Sequence, residues 1–279
     1  MATMGDSASA VSEPALVEIV TPVVSAMDRG PLREALLSAF YMEKESLGAI
    51  YDCFAQLASK RHASESLKFF FHSWSKTNHS AASVSGLANR ITLLARKHGN
   101  VADRAPYYLA CDSLQRVTDE DLGARGGTLH SDLFYRMATT LCGDDSWLLR
   151  VYCLERAQEF MDWVNQQRLR EREIVTGLLT TLVHEVYTHG EVELIHPMFE
   201  EWVKDRLALP ADEARRVLTW VKIHTGGTES DHFRHATNAV HYYCEASGIA
   251  IDPVSAEELF RGYLQRKAAV MTALMPKLH

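Results

Sequence analysis

The sequence has no CxxC pair, no uninterrupted apolar run approaching the roughly 18 residues of a membrane span, and no excess of basic residues. Its five cysteines, Cys53, Cys111, Cys142, Cys153 and Cys244, are odd in number and scattered. That pattern argues against a disulfide framework or a thiolate zinc site and leaves reduced, buried thiols as the expectation. Lysine and arginine number 29 against 36 acids, a formal charge of −7, so a nucleic-acid surface is not expected, and the lack of a long apolar run argues against a membrane partner. The opening residues, MATMGDSASAVSEP, lack the basic and apolar regions of a signal peptide, which makes the cytoplasm the expected location. No block reads as a strand.

What is present is helical periodicity. Apolar positions recur at spacings of three and four through candidate helices at about 14–28, 30–60, 63–98, 101–117, 130–142, 145–167, 169–206, 211–225, 228–247 and 254–274. Breakers separate several of them: DRGP, KHGN, GARGG, CGDD, ALPADE and SGIAIDP. Asp144 or Asp145 and Asp212 suit helix starts, and Gly99 and Gly143 suit helix ends. With 47% hydrophobic residues, no fixed-period repeat and no internal low-complexity linker, one all-α domain spanning 14–279 is expected behind a disordered tail of 1–13.

Two polar stretches stand out from that background. HTGGTESDHFRH, residues 224–235, holds His224, Glu229, Asp231, His232 and His235 within twelve positions. Glu229 and His232 are three apart, so one helical face can present both to a metal ion, as in helix-bundle carboxylate proteins. His224 lies five before Glu229, a spacing that rotates it away unless TGGT breaks the helix; His232 and His235 form a competing pair. The other stretch, TDEDLGARGGTLHSDLF at 118–134, can bring Glu120 to His130 across a glycine-rich loop, although TDED alone also reads as a surface turn. Between them, one face of the segment 169–206 reads Gly177, Thr181, His184, Thr188, Glu191 and Ile195. Taken alone, that face reads as solvated.

Taken together, these motifs resemble the heme-oxygenase-like diiron oxidases and oxygenases, which share a helical bundle with TenA-like and PQQ-synthase-like proteins. The resemblance covers roughly residues 30–250 and follows the order Glu120, His130, Glu191, His224, Glu229, His232. It implies that these six bind two Fe(II) ions, with manganese allowed. Dioxygen would be the co-substrate, and Glu120, Glu191 and His232 the most direct participants in catalysis. Imidazole and carboxylate ligands suit those metals. It further implies an oxidoreductase of desaturase or oxygenase type acting on a small, amino-acid-like substrate in specialised metabolism. The reaction would be desaturation, cyclisation or N-oxygenation; an external electron donor and a homodimer are allowed.

The chain also departs from the family pattern. His-x-x-x-Asp/Glu-x-x-His is the usual last motif, and here one extra residue precedes Glu229, so His235 remains an alternative to His224. Asp121 competes with Glu120, and Glu185 and Glu193 compete with Glu191, which is preferred for sharing a face with His184 and Thr188. His72 and His79 lie in an aromatic segment and read as structural, as do His189, His196 and His241; Arg104, Arg125 and Arg136 read as surface residues. Two other function classes stay open. One is a metal-free TenA-like or PQQ-synthase-like enzyme using acid–base chemistry, and the other a helical binding or scaffold protein.

Overall fold

The computed structural model describes residues 15–78, 80–119, 121–123 and 127–279. The expected tail, Glu120, His79 and Arg125 lie outside the described residues. Helices α1 (Ala15–Ser25), α2 (Pro31–Met42), α3 (Lys44–Ala58), α4 (Ser64–Asn78), α5 (Ala81–Ala95), α6 (Val101–Thr118) and α7 (His130–Cys142) form the first half. Then come α8 (Glu155–Asn165), α9 (Ile174–Glu201), α10 (Ala211–Val217), α11 (Thr219–His224), α12 (Gly227–Ser247) and α13 (Pro253–Leu274). Short 3₁₀ turns precede α8 and follow α13, and one-turn π-helices at Gln166–Arg170 and Trp202–Arg206 flank α9. No strand occurs among the described residues, so the all-α expectation holds.

Local chemistry sets several boundaries. The Asn100 side chain accepts from Ala102 N (2.9 Å) to start α6, and Asp252 accepts from Ser255 N (2.9 Å) ahead of Pro253 to start α13. Gly143 at φ 89° closes α7, as its position in the sequence suggests. The predicted long helices are broken more often than periodicity reveals. The segment 30–60 divides at Glu43, 63–98 at the residues before Ala81, and 211–225 at Leu218.

Helix α9 is the axis of the molecule. It packs against α1, α3, α5, α11, α12 and α13, and residues on all its sides are buried from Gly177 to Val192. Such a helix has no solvated face, which overturns the reading of Thr181, His184, Thr188 and Glu191 as exposed. Apolar side chains from Leu16 to Leu278 form a continuous core around it. Helix α12 lies between α6 and α9, which brings its first turn beside the end of α6 and the middle of α9.

Candidate metal centre

Five chain segments deliver six donors to one place. Asp121 follows α6, His130 opens α7, Glu185 lies mid-α9, His224 ends α11, and Glu229 and His232 occupy the start of α12. They form two groups, Asp121–His130–His224 and Glu185–Glu229–His232, with the potential ligand atoms of each within 4.8 Å of one another. Glu229 joins them: its Oε1 is 3.8 Å from His224 Nε2 and its Oε2 is 3.5 Å from His232 Nδ1.

The glycines of HTGGTE explain how His224 takes part. Helix α11 stops at His224, Thr225 is extended, Gly226 takes φ 74°, and α12 begins at Gly227. An L side chain is disfavoured at that φ. The break reverses the rotation that five helical residues would impose and returns His224 to Glu229. His224 Nδ1 donates to the Trp220 carbonyl (2.6 Å), leaving Nε2 facing Glu229 and, at 3.9 Å, Asp121. A backbone partner on one ring nitrogen is a common way to orient a metal-binding imidazole. Glu193 Oε1 accepts from Gly226 N (2.5 Å), so this acid braces the break. His235 belongs to neither group.

The structure separates Glu191 from the donors it was expected to join. Its buried carboxylate accepts from Trp74 Nε1 (2.9 Å) and Tyr187 OH (2.5 Å), and Oε2 pairs with Lys267 Nζ at 2.9 Å. Shared helical face was the wrong criterion because α9 is buried all round; Glu185, on another face, meets α12. On the α6 side the described acid is Asp121, whose Oδ1 accepts from His130 Nδ1 at 2.8 Å. Other histidines have structural partners: His72 Nδ1 with the Trp147 carbonyl (2.8 Å) and His184 Nδ1 with Tyr263 OH (2.9 Å).

Electrostatics mark the cluster as tense without a cation. Burial and the neighbouring Glu229 charge raise the Glu185 pKa. Burial acts to lower His232, but its hydrogen bond to Glu229 and the charges of Glu229 and Glu185 overcome this and hold it up at about 10. Asp121 moves the other way: burial would raise it, but His130 and His224 hold it far below the usual carboxylate range. Glu185 Oε1 is buried with no hydrogen-bond partner among the described residues. An oxygen left bare beside the His232 imidazole and the Glu229 carboxylate fits a divalent ion of the hard or borderline kind.

A cavity of about 450 Å³ opens beside Asp121, His130 and His224. Leu122, Leu129, Phe134 and Trp220 form its apolar wall, while Asn78, Ser80 and Ser131 add neutral polar groups. A larger groove of about 770 Å³, bordered by α10 and α11, contains none of the six donors. Thiol chemistry has no foothold here. All five cysteines are free, and burial pushes Cys53 and Cys142 up to about 12.

The helical arrangement resembles the all-α fold of a TenA homolog. A crystal structure of a TenA homolog from Pseudomonas syringae pv. tomato str. DC3000 is similar over 89% of this chain and 96% of that one, with a TM-score of 0.54 and 11% sequence identity. At that identity the likeness concerns the fold alone. No protein-family model and no curated protein sequence matches the chain. No helix among the described residues is long and apolar enough to cross a membrane.

Proposed function

We propose that the chain is a dinuclear nonheme metalloenzyme, an oxidase or oxygenase that uses dioxygen on a small organic substrate. The observation carrying this reading is the pair of three-residue groups joined by Glu229. Asp121, His130 and His224 would hold one divalent ion and Glu185, Glu229 and His232 the other, with Glu229 between them. Iron is favoured because mixed imidazole–carboxylate sets suit it, and manganese is the close competitor. Two such ions, when bound, would supply the electrons and open positions that dioxygen chemistry requires.

The protein's own groups then bind, orient and shield. Trp220 and Phe134 give the cavity an apolar wall beside His224, and Ser80, Ser131 and Asn78 can orient a polar end of the substrate. The Trp220 carbonyl keeps the His224 Nδ1 proton, so that ring turns only Nε2 to the cluster. The volume suits a small molecule, and an amino-acid-like substrate accords with the mixed lining.

A metal-free acid–base enzyme is the second reading. The 2.8 Å contact between Asp121 and His130 beside the cavity favours it, since this is how a carboxylate orients a general base. Anaerobic titration with Fe(II), followed by mixing with oxygen, separates the two. Uptake of two ions per chain with a transient visible absorption supports the metalloenzyme. An absence of iron binding removes it in favour of the acid–base reading.

A further inference from the structure

Arg168 is fully buried, and the surrounding chain is built to put it there. It lies in the one-turn π-helix Gln166–Arg170, pressed against α9 where Gly177 leaves room. A Cβ on Gly177 would come within 3.0 Å of the Gln167 carbonyl oxygen and 3.1 Å of the Arg168 Cα. From α5, Arg90 clamps the turn, its Nη1 donating to the Arg168 carbonyl (2.7 Å) and its Nη2 to the Glu171 carbonyl.

Among the described residues the guanidinium's hydrogen-bond partners are neutral. Nε donates to Thr181 Oγ1 (3.1 Å) and Nη1 to Ser83 Oγ (3.0 Å), while Nη2 has no hydrogen-bond partner among the described residues. Burying a cation without an ion-pair partner is costly, so its nearest acid matters. Thr181 and Glu185 are four apart on α9, which places the guanidinium about one helical turn from Glu185. Glu185 Oε1, like Thr188 Oγ1 on the same helix, is also buried without a hydrogen-bond partner among the described residues.

We propose that Arg168 is a positioning residue for Glu185, supplying the buried positive charge that restrains this carboxylate and weakens divalent-ion binding at its half of the centre. This rests on the metal-centre reading above. In the metal-free protein burial and Glu229 favour the protonated form of Glu185, so the guanidinium one turn away stands without a compensating charge. Once Glu185 turns to an ion, the guanidinium remains beside that ion as a repelling charge. The two halves are therefore unequal: Asp121–His130–His224 fills first and Glu185–Glu229–His232 second.

Mn²⁺ titration of the full chain, with free ion followed by electron paramagnetic resonance, tests this. The unmodified protein is expected to bind two ions in unequal steps. Arg168→Met and Arg168→Gln should tighten the weaker step by about tenfold, the effect of removing one charge through partly screened protein interior. Arg168→Lys, which keeps the charge, should stay within about twofold of the unmodified protein. Neutral variants with both steps unchanged or weakened overturn the assignment, and a purely structural role gives that result together with altered thermal stability. Methionine keeps the apolar stem of the arginine and glutamine its polar end, and either neutral variant is decisive alone. Two ions bound without sensitivity to Arg168 refute only this inference, whereas no binding by the unmodified protein refutes the metal centre as well.

Discussion

Helix α9 carries two buried acids, Glu185 and Glu191, in opposite situations. Glu191 is fully paired, with an ammonium, an indole N–H and a phenol all directed at its carboxylate. Glu185 has an imidazole at 3.8 Å, a second carboxylate nearby and one bare oxygen. Burial alone does not distinguish a ligand from a structural group; the balance of partners does. A satisfied acid holds the fold together, and an unsatisfied one beside other donors has capacity left for a ligand.

Breaking the junction of the two groups should have the largest effect on function. Glu229→Ala removes a carboxylate that faces both His224 and His232, so uptake should fall from two ions to one or none with helical content retained. Metal analysis after desalting, with circular dichroism as the control, checks it. The largest effect on stability belongs to the other acid. Glu191→Ala leaves Lys267 buried and unpaired, and should cost about 3–5 kcal/mol in chemical denaturation. Metal stoichiometry at low temperature should not change, and a loss of ions there would erase the contrast between the two acids.

Proton release sharpens the same contrast. Glu185 and His232 both hold protons more tightly than usual in the metal-free protein, and both must release them to bind a metal. Apparent affinity should therefore rise with pH between about 6 and 8, and calorimetry in buffers of different ionisation enthalpy should register released protons. A pH-independent affinity would contradict the assignment. Gly226→Ala should have a smaller effect. No atom lies within 4 Å of the added Cβ, so the cost is that of a backbone conformation L side chains rarely adopt, about 1–3 kcal/mol, read as a lower melting temperature with weaker metal retention. Least of all, His235→Ala should leave metal uptake unchanged, whereas His224→Ala should abolish uptake at its half.

How much of this was legible in the sequence differs by level. The all-α class followed from apolar spacing, and α7 matches its predicted span because Gly143 marks its end. Glu229 and His232 were legible because a step of three holds their relation fixed on one helix. Glu185 was harder to select over Glu191, because the face pointing to α12 depends on which neighbours surround α9. The role of His224 depended on the φ of Gly226, which two consecutive glycines permit without specifying. Arg168 gave no signal: in QQRLRERE it resembles any solvated charge, and only the close approach permitted by Gly177 buries it.

The central claim is that Glu229 lies between two metal ions. Anomalous diffraction at the iron edge, from crystals of the full chain loaded anaerobically with Fe(II), tests it most directly. Two peaks are expected, one among Asp121, His130 and His224 and one among Glu185, Glu229 and His232. Iron found only at surface histidines, or none at all, would contradict it.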